Sequence, residues 1–188
     1  MSRLIIIEGP QGCGKTTLSN FIRENVPSSN LYRLCGQKDK TVEGKKQSIK
    51  MYNALLAYMK AMQSIPMDLI FDRLFFSEEV YSTLGYKDYS FHEEYQIYLN
   101  RLLDLKYDIY YFNVYLENTD TFKKRLEREH HMYQKFSVKN SIEQQEKYQS
   151  ISDNLKKTRI HVTDLCMDDF KLAYEKVCEV LKIEGKTK

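Results

Sequence analysis

The residues with the most specific chemistry lie near the N-terminus. Gly9-Pro10-Gln11-Gly12-Cys13-Gly14-Lys15-Thr16 satisfies the pattern GxxxxGK[ST] in full, directly after an apolar strand-like run and directly before a helical period. Glycines at Gly9, Gly12 and Gly14 let the backbone turn so that successive amides, those of Gln11 and Cys13 among them, point inward at phosphate oxygens. The helix N-terminus that follows adds its partial positive charge. Lys15 is expected to reach the β and γ phosphates, Thr16 to offer its hydroxyl to Mg2+, and Thr17 to contact the α phosphate. A chance glycine turn would have no reason to sit between a strand and a helix. The segment is therefore read as a nucleoside triphosphate site with Mg2+.

In a parallel sheet, ligands collect at the carboxyl edge, so the other strand ends matter. Leu69-Ile70-Phe71-Asp72-Arg73 is an apolar run ending in an acid and a base. Asp72 is the expected Mg2+ partner, and Arg73 is suited to a two-pronged grip on a phosphate. The plainer alternative is a solvated surface ion pair. Asp72 is followed by Arg, not by the Glu that activates water in many hydrolytic ATPases, which favours transfer to an organic acceptor over hydrolysis. No NKxD guanine signature occurs.

The elements that must hold these residues read as alternating strands and helices. Strand-like runs cover Leu4–Glu8, Asn30–Cys35, Asp68–Asp72, Asp108–Leu116 and Arg159–Thr163. Helical stripes run through Leu18, Phe21 and Ile22, through Tyr52, Leu55, Leu56 and Met59, and through Tyr95, Tyr98, Leu99 and Leu102. Ser90 with Glu93, and Ser141 with Gln144, have capping-box spacing, and a last helix is expected over Asp169–Leu181 with a frayed tail from Gly185. The pattern predicts an α/β fold, a five-stranded parallel sheet covered by helices on both faces. The 188 residues suit one domain. Tyr110, Tyr111 and Tyr115 are expected to pack within it.

Composition narrows the partners. A net charge of +3 is too small for a general nucleic-acid field, so no stable nucleic-acid binding is expected. No apolar run approaches the roughly 20 residues of a bilayer helix, and the N-terminus enters a strand, not a signal-peptide pattern; the expectation is a cytoplasmic protein with no membrane partner. Cys13, Cys35, Cys166 and Cys178 are scattered and read as reduced thiols. His130-His131 is a poor zinc pair, since adjacent helical residues point about 100° apart.

IEGPQGCGKTT resembles the FEGxDGxGKTT opening of thymidylate kinases and, more loosely, that of deoxynucleoside kinases. Asp72, Arg73, Ser77 and Tyr81 reproduce the DRxxxSxxxY spacing of thymidylate kinases without a gap. The resemblance implies the P-loop nucleoside triphosphate hydrolase fold with a helical lid, about residues 121–140, and transfer of a phosphoryl group from ATP to a (deoxy)nucleoside monophosphate. It further implies that Lys15, Asp72 and Arg73 serve catalysis and that Gln11, Arg33, Arg73, Ser77 and Tyr81 line the acceptor's pocket. The charged helix from Asn118 looks like the lid of small nucleotide kinases, with Arg125 and Arg128, three apart on one face, able to converge on the transferred group. Its interleaved Glu127 and Glu129 also suit a plain solvated face. Thr163-Asp164-Leu165 resembles the stretch beside the adenine. Helices around Ser48–Met62 and Ser90–Leu103 would supply a homodimer face.

Departures from the pattern are informative. Gln11 stands where thymidylate kinases have an acid for the acceptor's sugar, and REPGGT is reduced to Arg33-Leu34-Cys35-Gly36-Gln37. A deoxynucleoside kinase must deprotonate a 5′-hydroxyl, and its relatives keep a Glu at the end of strand two; none occurs at Cys35–Gln37, although Asp39 or Glu43 follows. A monophosphate acceptor is already anionic and needs positioning more than a base. Deoxynucleoside phosphorylation is the alternative, and an ATP-binding regulator or a nucleic-acid-end kinase is a second.

Overall fold

A computed structural model describes residues 2–36, 38–128 and 137–184, with the side chains of residues 126–128 also outside the description. Five strands, β1 (Arg3–Glu8), β2 (Ser29–Arg33), β3 (Asp68–Asp72), β4 (Asp108–Tyr115) and β5 (His161–Cys166), form one sheet in the order β2-β3-β1-β4-β5, all parallel. Seven helices occur among the described residues: α1 (Lys15–Asn25), α2 (Val42–Met62), α3 (Phe75–Thr83), α4 (His92–Leu103), α5 (Thr119–Arg128), α6 (Val138–Leu155) and α7 (Phe170–Leu181).

The sheet is apolar on both sides because alternate residues of each strand face opposite ways. Leu4, Ile6, Leu69, Phe71, Ile109 and Tyr111 pack under α2, α3, α4 and α6. Ile5, Ile7, Ile70, Phe112, Val114 and Leu165 pack under α1 and α7, with Phe122 of α5. Each large side chain buried there contributes roughly 1.5–3 kcal/mol relative to exposure. Tyr111 is fully buried as expected, whereas Tyr110 and Tyr115 are only partly covered.

Register fixes the functional edge. Ile7 pairs with Asp72 and Arg33 with Asp72, so β1, β2 and β3 release their ends side by side, while β4, whose Asn113 pairs with Glu8, runs on to Tyr115.

Several boundaries differ from the sequence expectation, each for a local reason. The helix after residue 137 opens at Ser137, whose side chain accepts from the Asn140 amide at 3.0 Å, so Ser141 lies inside α6 and is not its cap. In α4, Phe91 holds the capping position without a side-chain cap; Ser90 instead closes a short turn by accepting from the His92 amide at 3.3 Å. Strand β5 runs three residues further than expected, so Thr163, Asp164 and Leu165 are strand residues and the loop beyond is Met167–Asp169. The last helix is present as expected but opens at Phe170, with Asp169 as its cap, accepting from the Lys171 and Leu172 amides. No helix among the described residues is long and apolar enough to cross a membrane.

Candidate functional site

The turn after β1 is made of backbone. Gly9 sits at φ +150°, where a Cβ would lie 2.2 Å from the Val114 carbonyl oxygen, so only glycine fits. Gly12 (φ +76°) and Gly14 (φ +99°) also take left-handed values, and Gly14 is the N-cap of α1 without a side-chain cap. The first amides of α1 therefore have no side-chain oxygen from the cap and are directed at the loop's hollow. Lys15 is buried and donates from Nζ to the Pro10 carbonyl at 2.5 Å, bridging the loop; the Cys13 thiol donates to the same oxygen at 2.9 Å. Burial, then the like charge of Arg73, pulls the Lys15 pKa below its ordinary value.

Beside the loop, Thr16 Oγ1 donates to Asp72 Oδ2 at 3.0 Å and Ser19 Oγ to the same oxygen at 3.3 Å. The pairing expected from sequence thus exists: a hydroxyl at the start of α1 meets a carboxylate at the end of β3. One hydroxyl and one carboxylate suit Mg2+, a hard cation that takes most of its ligands from water and phosphate. Thr17 is exposed. Arg33 turns toward this corner, its Nε 3.9 Å from Asp72 Oδ2 and its guanidinium hydrogen-bonded to Asn20, so it lies on the α1 side of β2.

Arg73 follows Asp72 at φ +74°, unusual for a residue with a side chain. Its amide donates to Ile7 O at 3.1 Å, tying the turn to β1. Its Nη1 donates to Ser77 Oγ at 2.9 Å and to Tyr148 Oη at 3.1 Å, and its guanidinium stands 5.8 Å from the Tyr81 ring centre. Ser77 donates to Glu8 Oε2 at 2.7 Å, and the Leu74 amide to Glu8 Oε1 at 2.6 Å. Glu8 is fully buried, and desolvation raises its pKa to about 7, against the pull of Arg73 and of its two donors. Ser77 and Tyr81 are thus both brought to Arg73. Glu8 and Tyr148 were missed: Glu8 stood in view at the end of the first strand, but no short motif links either residue to Arg73.

A second buried polar group lies one residue beyond Ser77. Glu78 pairs with Lys87 Nζ at 3.2 Å and accepts a hydrogen bond from Tyr89, with both charged side chains almost fully buried. Its Oε2 faces Gly36 in the loop after β2, 3.9 Å from where a Cβ would sit. Sequence spacing gives no hint of this pair. Asp39 accepts from the Thr41 amide at 2.9 Å at the head of α2, and exposed Glu43 pairs with Lys46, so each candidate base serves that helix's first turn.

On the opposite flank, Arg125 of α5 donates to Met167 O at 2.7 Å and, at 3.5 Å, to Gly12 O, with its guanidinium 4.8 Å from the Phe170 ring centre. It borders the phosphate loop and the β5–α7 loop, on the side away from the Tyr148 bond to Arg73. The Arg128 side chain, His130 and His131 lie outside the described residues, as does the middle of the expected lid. Gln11 is braced by α6: its amide donates to Gln144 Oε1 at 3.2 Å and its carbonyl accepts from Ser141 Oγ at 3.3 Å.

No protein-family model and no curated protein matches this chain. Solved structures do. YorR from Bacillus subtilis in complex with phosphorylated GDP has 18% identity and a TM-score of 0.66 over 95% of each chain. Deoxyadenosine kinase from M. mycoides with dCMP and dCDP has 18% identity and a TM-score of 0.67, covering 95% of this chain and 98% of that one. Thymidylate kinase from Candida albicans has 17% identity and a TM-score of 0.64 over 99% and 98%. At these identities the likeness establishes the fold alone, the five-stranded parallel α/β sheet that the sequence pattern predicts.

Proposed function

We propose that this protein is an ATP-dependent kinase, one domain with a lid at about 121–140, that transfers the γ-phosphoryl group to a (deoxy)nucleoside monophosphate. The observation that carries the reading is the junction of Asp72 and Arg73. The first faces the Thr16 hydroxyl beside the glycine-rich loop, and the second is bonded into the pocket of Ser77, Tyr81 and Tyr148. Donor and acceptor phosphates would then meet across one peptide bond. That the similarly folded proteins above carry phosphorylated GDP, or dCMP and dCDP, supports a ligand of nucleotide size.

The loop amides other than that of Gln11, which donates to Gln144, and the first turn of α1 grip the donor's phosphates, and Lys15, whose Nζ bridges the loop, neutralises charge on the leaving side. Thr16 and Asp72 would hold Mg2+, which supplies further charge neutralisation when bound. Arg73 fixes the acceptor's phosphate. An oxygen of that phosphate attacks the γ phosphorus in line while the bond from that phosphorus to the β–γ bridging oxygen breaks, leaving ADP and a nucleoside diphosphate. The attacking oxygen is already anionic, so no general base is required. Glu8, although poised near neutrality, spends its oxygens on Leu74 and Ser77 and lies beneath the pocket. With Cys35 and Gly36 after β2 and Asp39 committed to α2, the acceptor side lacks a carboxylate suited to activating a 5′-hydroxyl among the residues expected to supply it. This favours a monophosphate over a nucleoside.

Arg125, beside Gly12 and Phe170, supports a role against the donor's nucleoside end. The test is chromatography of products from γ-labelled ATP, Mg2+ and a panel of nucleosides, monophosphates and oligonucleotides. Label in nucleoside diphosphates is the expected result. Label only in monophosphates would establish nucleoside phosphorylation instead, and label only in oligonucleotides an end kinase.

A further inference from the structure

One face of α6 touches both halves of the site. Ser141 and Gln144 hold the carbonyl and the amide of Gln11 in the phosphate loop, and one turn further Tyr148 holds Arg73 and Ser77. The spacing of three and four residues puts all three side chains on one helical stripe. The next stripe anchors the helix to the sheet: Gln145 exchanges two 3.0 Å bonds with the backbone of Leu116, Gln149 accepts from Asn113 at 3.0 Å, and Ser152 donates to Asp164 at 2.6 Å. A helix pinned to the sheet at three points can act as a ruler for what its other face holds.

With Glu8 ionised, the hydrogen balance around Tyr148 has one economical solution. Ser77 has one hydroxyl proton, and with Glu8 ionised it goes to Glu8 Oε2. The Tyr148 proton then goes to Ser77 Oγ at 2.8 Å, leaving the Tyr148 oxygen to accept from Arg73 Nη1. Tyr148 is fully buried, and a buried phenol aimed at a guanidinium restricts the planar fork's rotation.

We propose that Tyr148 is a positioning residue for Arg73, and that α6 sets the acceptor-holding arginine in register with the phosphate loop through Tyr148 on one side and Ser141 and Gln144 on the other. The inference rests on the functional reading above. Tyr148 acts through Arg73 and touches neither substrate.

The experiment is steady-state kinetics of wild type, Tyr148→Phe, Arg73→Lys and the double variant, with ATP and acceptor varied separately. Loss of one hydrogen bond to a charged group predicts about a tenfold rise in acceptor KM for Tyr148→Phe, with the ATP KM within about twofold of wild type. In the Arg73→Lys background, where the fork is gone, Tyr148→Phe should add no further rise, a non-additivity that general loosening of the core would not produce. Ser77→Ala, which leaves the Tyr148 ring untouched, gives an independent series in case the phenylalanine variant folds poorly, and is expected to show the same split. Wild-type transfer with an unchanged acceptor KM in a folded Tyr148→Phe, or an equal rise in both backgrounds, would overturn the inference alone. Absence of transfer by the wild type would overturn the functional reading and this inference with it.

Discussion

The two halves of the site are built from different materials. The donor half is almost all backbone: three left-handed glycines, the opening amides of α1 and one lysine drawn back onto the Pro10 carbonyl. The acceptor half is almost all side chain, with Glu8, Arg73, Ser77 and Tyr148 in one network and Glu78, Lys87 and Tyr89 in another. Backbone amides recognise phosphate and ask nothing of the rest of the molecule. Buried side-chain networks discriminate between ligands that differ by one polar group, because a mismatch leaves a buried partner unpaired. On the proposed reading, the donor half would fix the chemistry and the acceptor half would select what receives it.

Substitutions in the two halves should accordingly fail in different ways. The largest effect is expected on the donor side. Lys15→Ala should lower phosphoryl transfer by about 10³-fold while the thermal unfolding midpoint stays near wild type, since the residue stabilises transferring charge and not the core. A fall in the midpoint matching the fall in rate would assign Lys15 a structural role.

On the acceptor side the first loss is stability. Lys87→Met takes from the buried Glu78 carboxylate its cation, leaving the Tyr89 hydrogen bond among the described residues, and should cost about 3–5 kcal/mol in denaturant unfolding. Acceptor KM should move with it and ATP affinity should not; an equal change in both would erase the distinction between the halves.

The junction between them responds to pH. The Glu8 carboxyl has its pKa raised from 4.5 to about 7 in the folded protein, chiefly by burial, so the folded state binds this proton more tightly than the unfolded chain. Its contribution to stability is therefore full below pH 4.5 and is lost as the pH rises through 7, a change on the order of 3 kcal/mol. Unfolding free energies of wild type and Glu8→Gln measured from pH 4.5 to 8 should show wild type losing ground to the variant over that window. Parallel curves would mean that Glu8 does not titrate there.

The same contrast explains what could be read in advance. The donor half was legible because its residues are contiguous and its geometry is imposed by glycines that no other residue replaces at those angles. The sheet was legible because strands buried on both faces are nearly continuous apolar runs, as at Leu4–Ile7. The acceptor half was only partly legible. Arg73, Ser77 and Tyr81 lie on one short segment, but Glu8 and Tyr148 reach them from β1 and α6, and nothing in the local pattern announces contacts across 69, 71 or 75 positions. Arg33 is placed in the acceptor's pocket only by the resemblance; in the fold it ends a strand paired in register with β3 and leans on Asn20 and Asp72, contacts that no local pattern gives. Ser90 and Ser141 misled for a simpler reason: serine followed by an acid or amide three residues on also occurs just before or inside a helix, where the hydroxyl finds other partners.

The central claim is that Arg73 holds a phosphate of the acceptor beside the donor's transferred group. It is tested most directly by calorimetric titration of the four deoxynucleoside monophosphates and their parent nucleosides into wild type and Arg73→Ala, with Mg2+ and a non-hydrolysable ATP analogue present. The expected result is a monophosphate that binds wild type and loses about 100-fold or more in affinity in the variant, while the binding of its nucleoside is unchanged. Equal monophosphate affinity in the two proteins would contradict the account.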